Sequence, residues 1–277
     1  MLKTEMRNPK TTHIDKMDTL SMLQIINEEN YNAVKAVENA MPEIGEAVDI
    51  ISEALAQGGR LIYVGAGTSG RLAVMDAAEC PPTFGVDYDT ICAIIAGGEK
   101  TLVRASENQE DFEDKGRVDV LAKNITEKDV VCGISASGGA AFVAGAMKEA
   151  KEHGCKTISL SSNPGTLIGS IADVEIVTDT GAEVVQGSTR MKAGTAQKLV
   201  LNMLSTCSMI HTGKVYENVM INLRPSNIKL RQRMINIVCS LTGLEAAASE
   251  SLLEQNDWVI RQALKSHEMK NSENSKQ

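Results

Sequence analysis

The chain has 277 residues, of which 28 are basic and 36 acidic, so its net charge is −8. With one Trp, four Tyr and three Phe, it lacks both the basic surface and the stacking aromatics that nucleic acids need, so we expect no nucleic-acid partner. No window of about 18 apolar residues predicts a membrane span, and no apolar leader is visible. Six cysteines without a CxxC pair favour reduced, buried thiols. We therefore expect a cytoplasmic protein that does not bind membranes.

The N-terminal part of the chain combines a polar arm with helices. Residues 1–17 are polar and irregular, which predicts an arm that needs a partner to order it. Apolar residues then recur with helical spacing over 19–57. Pro42 and Gly45 indicate a break between two helices. We assign residues 1–57 to this arm and its helices.

The period then changes to short β-branched runs separated by helical segments. Such alternation predicts βα units and a parallel sheet covered on both faces, a three-layer αβα architecture of the α/β class. We assign residues 58–215 to this domain. The five predicted strands are Arg60–Gly65, Thr90–Ala96, Asp129–Ile134, Lys156–Leu160 and Val174–Thr178.

Helical patterns dominate the rest of the chain. Residues 138–153 and 189–212 predict helices that cover the sheet, and no strong strand is predicted after Gly213. A helical C-terminal region is assigned to 216–277, with a polar, frayed tail from Met269. Its predicted helices are 227–241, 244–254 and 257–267.

The loop after the first predicted strand carries a glycine motif. In open parallel sheets, ligands bind beyond the carboxyl ends of the strands. Residues 65–70 read G-A-G-T-S-G, which matches the dinucleotide fingerprint G-x-G-x-x-G. The match alone is weak, and two features disfavour an NAD-dependent oxidoreductase: Thr68 and Ser69 add hydroxyls, and no acidic residue ends the next strand.

Two further Ser/Gly loops, 135–139 and 161–165, follow later strands, and each is predicted to open a helix. Helix N-termini offer free N–H groups and partial positive charge, so three such loops predict a cradle for one compact anion, with phosphate the obvious candidate. The alternative is structural, because Ser and Gly are common in βα turns and as helix caps.

Longer stretches carry a family resemblance. The segments YVGAGTSGRL and SASG resemble the sugar isomerase (SIS) domain, and residues 8–29, 65–86, 95–100 and 181–206 resemble the N-acetylmuramic acid 6-phosphate etherase family. The resemblance covers about residues 7–240. It implies an SIS fold with a five-stranded parallel sheet, a phosphorylated amino sugar as substrate, a cytoplasmic homodimer, and neither metal nor redox cofactor. The implied reaction releases D-lactate and N-acetylglucosamine 6-phosphate by elimination followed by water addition.

That reaction needs a general acid and a general base. Glu79 precedes Cys80-Pro81 and is predicted to close a helix at 71–78, because the residue before a proline avoids helical geometry. The negative end of the helix dipole would favour a protonated carboxyl, suited to protonate the departing lactate. The second glutamate is not selected by chemistry, because Glu110 lies in an acidic cluster typical of a solvated surface. The resemblance places the C2 base at Glu110, with Glu107 as the alternative.

The substrate-binding candidates form two groups. For the phosphate we predict the hydroxyls of Thr68, Ser69, Ser135 and Ser137. By resemblance, a second polar set lies near the sugar, with the partner subunit as an alternative donor; it comprises Glu183, Ser188, Thr189 and Lys192. Its structural alternative is a cap, in which Ser188 or Thr189 begins the helix predicted over 189–212.

Two departures from the family bear on substrate and affinity. Gly139-Ala140-Ala141 stands where the etherases carry Arg-Thr-Pro, and the helical C-terminal region is shortened, with 241–265 covering only its later part. A non-catalytic phosphosugar sensor of the same fold is the alternative function. An intact Glu79 favours the enzyme, because a sensor needs no acid.

Overall fold

The computed structural model describes residues 2–104 and 108–274, with side chains to residue 272. The chain divides into two compact units. The first comprises Met1–Ala78 and Tyr88–Ser208, and the second comprises Glu79–Asp87 and Met209–Gln277.

The first unit holds the predicted five-stranded parallel sheet. All five predicted strands are confirmed, and their order in the sheet is β2-β1-β3-β4-β5. Because the runs are mostly buried and rich in β-branched residues, they suit strands that are covered on both faces. The strands are β1 (Leu61–Gly65), β2 (Ile91–Ile95), β3 (Val130–Ile134), β4 (Lys156–Ser161) and β5 (Val174–Val177).

Helices cover both faces of this sheet, which confirms the three-layer α/β prediction. On one face, Ile62 and Val64 pack with Phe142 and Met147. On the other, the Tyr63 hydroxyl donates to Asp76 Oδ2 at 3.1 Å. The α-helices among the described residues are α1 (Thr19–Asn39), α2 (Met41–Ala56), α3 (Gly67–Phe84), α4 (Lys100–Val103), α5 (Glu113–Leu121), α6 (Ala141–Glu152), α7 (Lys192–His211), α8 (Ile228–Thr242), α9 (Ala246–Glu254) and α10 (Ile260–Asn274).

The strand order creates a topological switch point at β1. From β1 the chain moves to β2 on one side and then crosses to β3 on the other. Gly65 at the end of β1 pairs in register with Ile134 at the end of β3. The loops that follow these two strands therefore start side by side, and such crevices are where open parallel sheets bind ligands.

The N-terminal arm is ordered by its own chain, so the prediction that it needs a partner is wrong. It forms three short 3-10 turns, at Lys3–Glu5, Pro9–Thr11 and Ile14–Lys16. Thr4 is buried and accepts from Asn163 Nδ2 at 3.2 Å, and the buried Thr11 hydroxyl donates to Val184 O at 2.9 Å. Satisfied polar groups, and not apolar burial, hold the arm in place.

The described part of the second unit contains the ends of α3 and α7, a small hairpin and three complete helices. The hairpin pairs β6 (Val215–Tyr216) with β7 (Val219–Met220), and two residues per strand are too few for a sequence pattern to reveal. Helices α8, α9 and α10 share a core that includes Met234, Val238 and Leu253. Helix α10 continues to Asn274. The prediction of a frayed tail from Met269 is therefore wrong for residues 269–274. None of the helices within residues 2–104 and 108–274 is long and apolar enough to cross a membrane.

Candidate active site

The loop after β1 is a tight strand-to-helix turn. Strand β1 ends at Gly65, and α3 begins at Gly67. A Cβ added at Gly65 would lie 2.7 Å from Gly70 N, and one added at Gly70 would lie 2.8 Å from Gly65 O. Only glycine fits at both positions. The turn therefore leaves the first amides of α3 at the carboxyl edge of the sheet, where helix N-termini favour anions.

Ser69 in this loop is buried, and Thr68 is half-buried. The Ser69 hydroxyl donates to Oε1 of Gln197 on α7 at 2.9 Å. Sequence reasoning missed Gln197, because the two residues are 128 positions apart and no local pattern links them. Its position in the family-like segment 181–206 is the only signal that marks it.

The loop after β3 places two more hydroxyls beside the first loop. Ser135 Oγ accepts from the Gly138 amide at 3.1 Å, and Ser137 Oγ accepts from the Gly139 amide at 3.3 Å. The two serine oxygens are 3.4 Å apart. Since β1 and β3 are neighbours, the structure brings these serines to the same edge of the sheet as Thr68 and Ser69.

The third Ser/Gly loop does not open a helix, and that prediction is wrong. Residues 162–173, all of them described, form turns between β4 and β5. Asn163 Nδ2 donates to Ala136 O at 3.1 Å, and Ser161 Oγ donates to Asn163 O at 2.8 Å. The third loop therefore stabilises the second loop through the Asn163 hydrogen bond to Ala136. It contributes no helix N-terminus to an anion-binding site.

Glu183 caps α7, a role the sequence had suggested for Ser188 or Thr189. Its side chain is fully buried, and its two oxygens accept from the amides of Lys192 at 3.1 Å and Ala193 at 2.9 Å. The helix consequently begins at Lys192 and not at 189. Ser188 and Thr189 lie half-buried in the turn before it.

Lys192 makes a buried ion pair with Glu29 on α1. Its ammonium lies 2.6 Å from Glu29 Oε2 and 2.7 Å from Ala182 O, and the side chain is 1% exposed. Burial raises the pKa of the Glu29 carboxyl, but hydrogen bonds from Lys192, Lys10 and Asn8 outweigh it and lower that pKa to about 2. This geometry favours a structural role for Lys192 and Glu183, and their contact with substrate stays a prediction.

Glu79 is exposed on α3 and belongs to the second unit. The helix does not stop before Pro81 as predicted; it runs to Phe84 with both prolines inside. Its end is set by Gly85, which has a φ of +64° and donates to Pro81 O at 2.8 Å, and by Asn222, which donates to Phe84 O at 2.8 Å. Because the helix continues for five residues past Glu79, the dipole argument for a protonated carboxyl does not apply.

Glu110 lies exposed on a short 3-10 turn, Gln109–Asp111, of the first unit. A Cβ added at Gly97 would lie 2.9 Å from Gln109 Cγ, so this turn packs against the chain just after β2. Strand β2 ends beside β1, with Ile95 in register with Gly65. Glu110 is therefore held near the edge of the sheet that carries the serine loops. The alternative base, Glu107, lies outside the described residues.

Comparisons with known proteins agree with this architecture. The family model of the glucokinase regulatory protein N-terminal SIS domain matches residues 43–151, the SIS domain model matches 98–206, and the TAP C-terminal domain model matches 233–275. A phosphoheptose isomerase from Francisella tularensis has a TM-score of 0.55 at 21% identity, covering 69% of this chain and 98% of that one. The phosphoheptose isomerase of Neisseria gonorrhoeae has a TM-score of 0.53 at 21% identity, covering 69% and 99%. These structures show a shared fold.

Curated relatives are much more similar in sequence. N-acetylmuramic acid 6-phosphate etherases from Clostridioides difficile and Halalkalibacterium halodurans are 47% and 49% identical over 263 residues, covering 95% of this chain and 86% and 88% of theirs. The etherase of Caldanaerobacter subterraneus is 50% identical and covers 95% and 86%. The fold and the paired serine loops thus define a protein of the SIS class. Within that class, the chain belongs to the N-acetylmuramic acid 6-phosphate etherase family.

Proposed function

We propose that this chain cleaves the D-lactyl ether of N-acetylmuramic acid 6-phosphate to N-acetylglucosamine 6-phosphate and D-lactate. The observation that carries the proposal is the identity of 46–50% with curated etherases over 95% of the chain. The two adjacent serine loops at the switch point support it, because they offer hydroxyls and helix amides to a phosphate. In this proposal Thr68, Ser69, Ser135 and Ser137 hold the 6-phosphate.

The chemistry follows from the substrate. Opening the sugar ring exposes an aldehyde at C1, which acidifies the proton on C2. Glu110 removes that proton, a C2–C3 double bond forms, and the C3–O bond breaks while Glu79 protonates the departing lactate. Water then adds its oxygen to C3 and a proton to C2, which restores the amino sugar. The acid and base roles of Glu79 and Glu110 rest on the family resemblance of their segments.

The proposal includes a cytoplasmic homodimer. Four large apolar side chains on one face of α1 are 55–64% exposed: Leu20, Leu23, Tyr31 and Val34. Their spacing places them within one helical stripe, so a second copy of the chain would bury apolar surface there. The molecular mass in solution tests this part of the proposal, and a monomer at micromolar concentration contradicts it.

The test of the reaction is incubation with N-acetylmuramic acid 6-phosphate in ¹⁸O-labelled, deuterated water. We expect D-lactate without heavy oxygen, and an amino sugar with heavy oxygen at C3 and deuterium at C2. Because the C1 aldehyde exchanges its oxygen spontaneously, the product is fragmented so that C1 and C3 are read separately. Heavy oxygen in the lactate would contradict elimination. A folded protein that binds phosphosugar but releases no lactate would be a sensor.

A second prediction concerns the loop at Gly139 and the affinity of the protein for its substrate. The family resemblance implies an Arg and a Thr at positions 139 and 140, where this chain has Gly and Ala. Gly139 is exposed, and a Cβ added to it would meet only Ser137 Oγ, at 3.8 Å. Gly139→Arg with Ala140→Thr is expected to restore a charge-assisted hydrogen bond and to lower KM about 10-fold or more. Ala140 is the uncapped N-cap of α6, so Ala140→Thr alone is the matched control for helix stabilisation. An unchanged KM in the double variant would show that this loop does not approach the phosphate.

A further inference from the structure

The contact between Ser69 and Gln197 leaves one buried polar group without a partner. Gln197 is 1% exposed, and its Oε1 accepts the Ser69 hydroxyl at 2.9 Å. Its Nε2 is fully buried and has no hydrogen-bond partner within residues 2–104 and 108–274. Buried amide nitrogens are seldom left in this way, because the lost hydrogen bond is unfavourable. We therefore look for the reason for the unpartnered Gln197 amide in the phosphate-binding role of Ser69.

The explanation lies in the single hydroxyl proton of Ser69, which can be donated to only one acceptor at a time. A serine hydroxyl has one proton to donate, and the acceptor within its reach in this structure is Gln197 Oε1, at 2.9 Å. A phosphate monoester at neutral pH is an acceptor and needs a donor. Ser69 can bind it only if the hydroxyl proton turns away from Gln197. Rotating the carboxamide by half a turn exchanges its oxygen and nitrogen, which occupy nearly the same volume.

We propose that Gln197 is a positioning residue that controls the direction of the Ser69 hydroxyl proton by this rotation. With Nε2 turned toward Ser69, the amide donates to the serine oxygen, and the serine proton is free to bind a phosphate oxygen. The nitrogen that is unpartnered in the ligand-free chain then donates to Ser69 Oγ, while Oε1 gives up the serine proton and takes the buried position that the nitrogen held. This inference rests on the proposed function, in which Ser69 holds the 6-phosphate, and it assigns to α7 a part in substrate affinity.

Two substitutions of Gln197 separate this role from simple packing. Gln197→Glu keeps the shape, but its carboxylate can only accept and also repels a phosphate, so it should weaken N-acetylglucosamine 6-phosphate binding about 10- to 150-fold. Gln197→Met removes both hydrogen-bonding groups but leaves the serine proton free, so binding should weaken about 3- to 10-fold. In turnover assays the change should fall on KM, with kcat within about threefold of wild type.

A double-mutant cycle with Ser69→Ala tests whether Gln197 affects phosphosugar binding through Ser69. If Gln197 acts through Ser69, Gln197→Met should weaken binding only when the serine is present. Asn202→Leu is the control, because Asn202 lies on the same helix and bonds to Asp76 at 2.6 Å, away from the loop. It should lower the melting temperature without changing affinity for the phosphosugar.

Calorimetry measures the binding of N-acetylglucosamine 6-phosphate separately from turnover. It therefore distinguishes a failure of the Gln197 positioning role from a failure of the etherase function. Equal losses from Gln197→Met with and without Ser69 would overturn the positioning role, as would wild-type affinity in both Gln197 variants. If wild type binds the phosphosugar but releases no lactate, the etherase function fails while the cycle still decides the role of Gln197. If wild type does not bind the phosphosugar, both proposals are overturned.

Discussion

The Glu79→Gln variant is expected to release lactate about 100- to 10,000-fold more slowly than wild type, the usual range for removing a general acid or base. The amide has the same shape but cannot protonate the departing lactate. Glu79 is exposed, so the substitution should leave the fold and the affinity for N-acetylglucosamine 6-phosphate nearly unchanged. Lactate release and phosphosugar binding are measured on the same sample.

The control for this variant is Glu46→Gln, at an exposed glutamate on α2, where no loss of turnover is expected. Exchange of the C2 proton of N-acetylglucosamine 6-phosphate in deuterated water gives a second measurement. If Glu110 is the base, Glu79→Gln should retain that exchange while lactate release is lost. Lactate release at nearly the wild-type rate would remove Glu79 from the mechanism.

Removing Lys192 is expected to give the largest loss of stability. Lys192→Met leaves the Glu29 carboxylate buried without its closest cation, and breaking such a pair lowers the free energy of unfolding by about 3–5 kcal/mol. Lys10 also pairs with Glu29, but its side chain is exposed, so Lys10→Met should cost much less. Chemical denaturation at neutral pH measures the free energy of unfolding of both variants.

The same ion pair predicts a pH dependence. The pKa of Glu29 is lowered from its ordinary value of 4.5 to about 2, so its contribution to stability is complete above pH 4.5 and is lost as pH falls toward 2. That part of the acid dependence should be smaller in Lys192→Met, because only Lys10 and Asn8 then still lower the pKa of Glu29. The double variant Glu29→Leu with Lys192→Met should recover much of the loss, because it leaves no buried charge unpaired. Equal stability of Lys192→Met and wild type would show that Lys10 and Asn8 compensate the carboxylate on their own.

Sequence reasoning was sufficient for the sheet and for two of the three Ser/Gly loops at its edge. A buried parallel strand is recognisable from a short β-branched run, and a tight turn into a helix from its glycines, because both depend on neighbouring residues. The break between α1 and α2 near Pro42 was predicted for the same reason. The family-like segments around Glu79 and Glu110 likewise lie along contiguous stretches of chain.

Tertiary contacts determined where two helices begin or end and which buried polar side chains bond to each other. Helix α3 continues through the prolines at 81 and 82, against the local preference, and ends only where Gly85 and Asn222 bond to its last carbonyls. Glu183 displaces Ser188 and Thr189 as the cap of α7, since the fold buries its carboxylate under the first two amides. The pairs Glu29–Lys192 and Ser69–Gln197 join residues that are 163 and 128 positions apart, and their hydrogen bonds exist only once α1, α3 and α7 have packed. Local sequence encodes conformation, whereas the partner of a buried polar group is chosen by whichever distant segment the fold brings within about 3 Å.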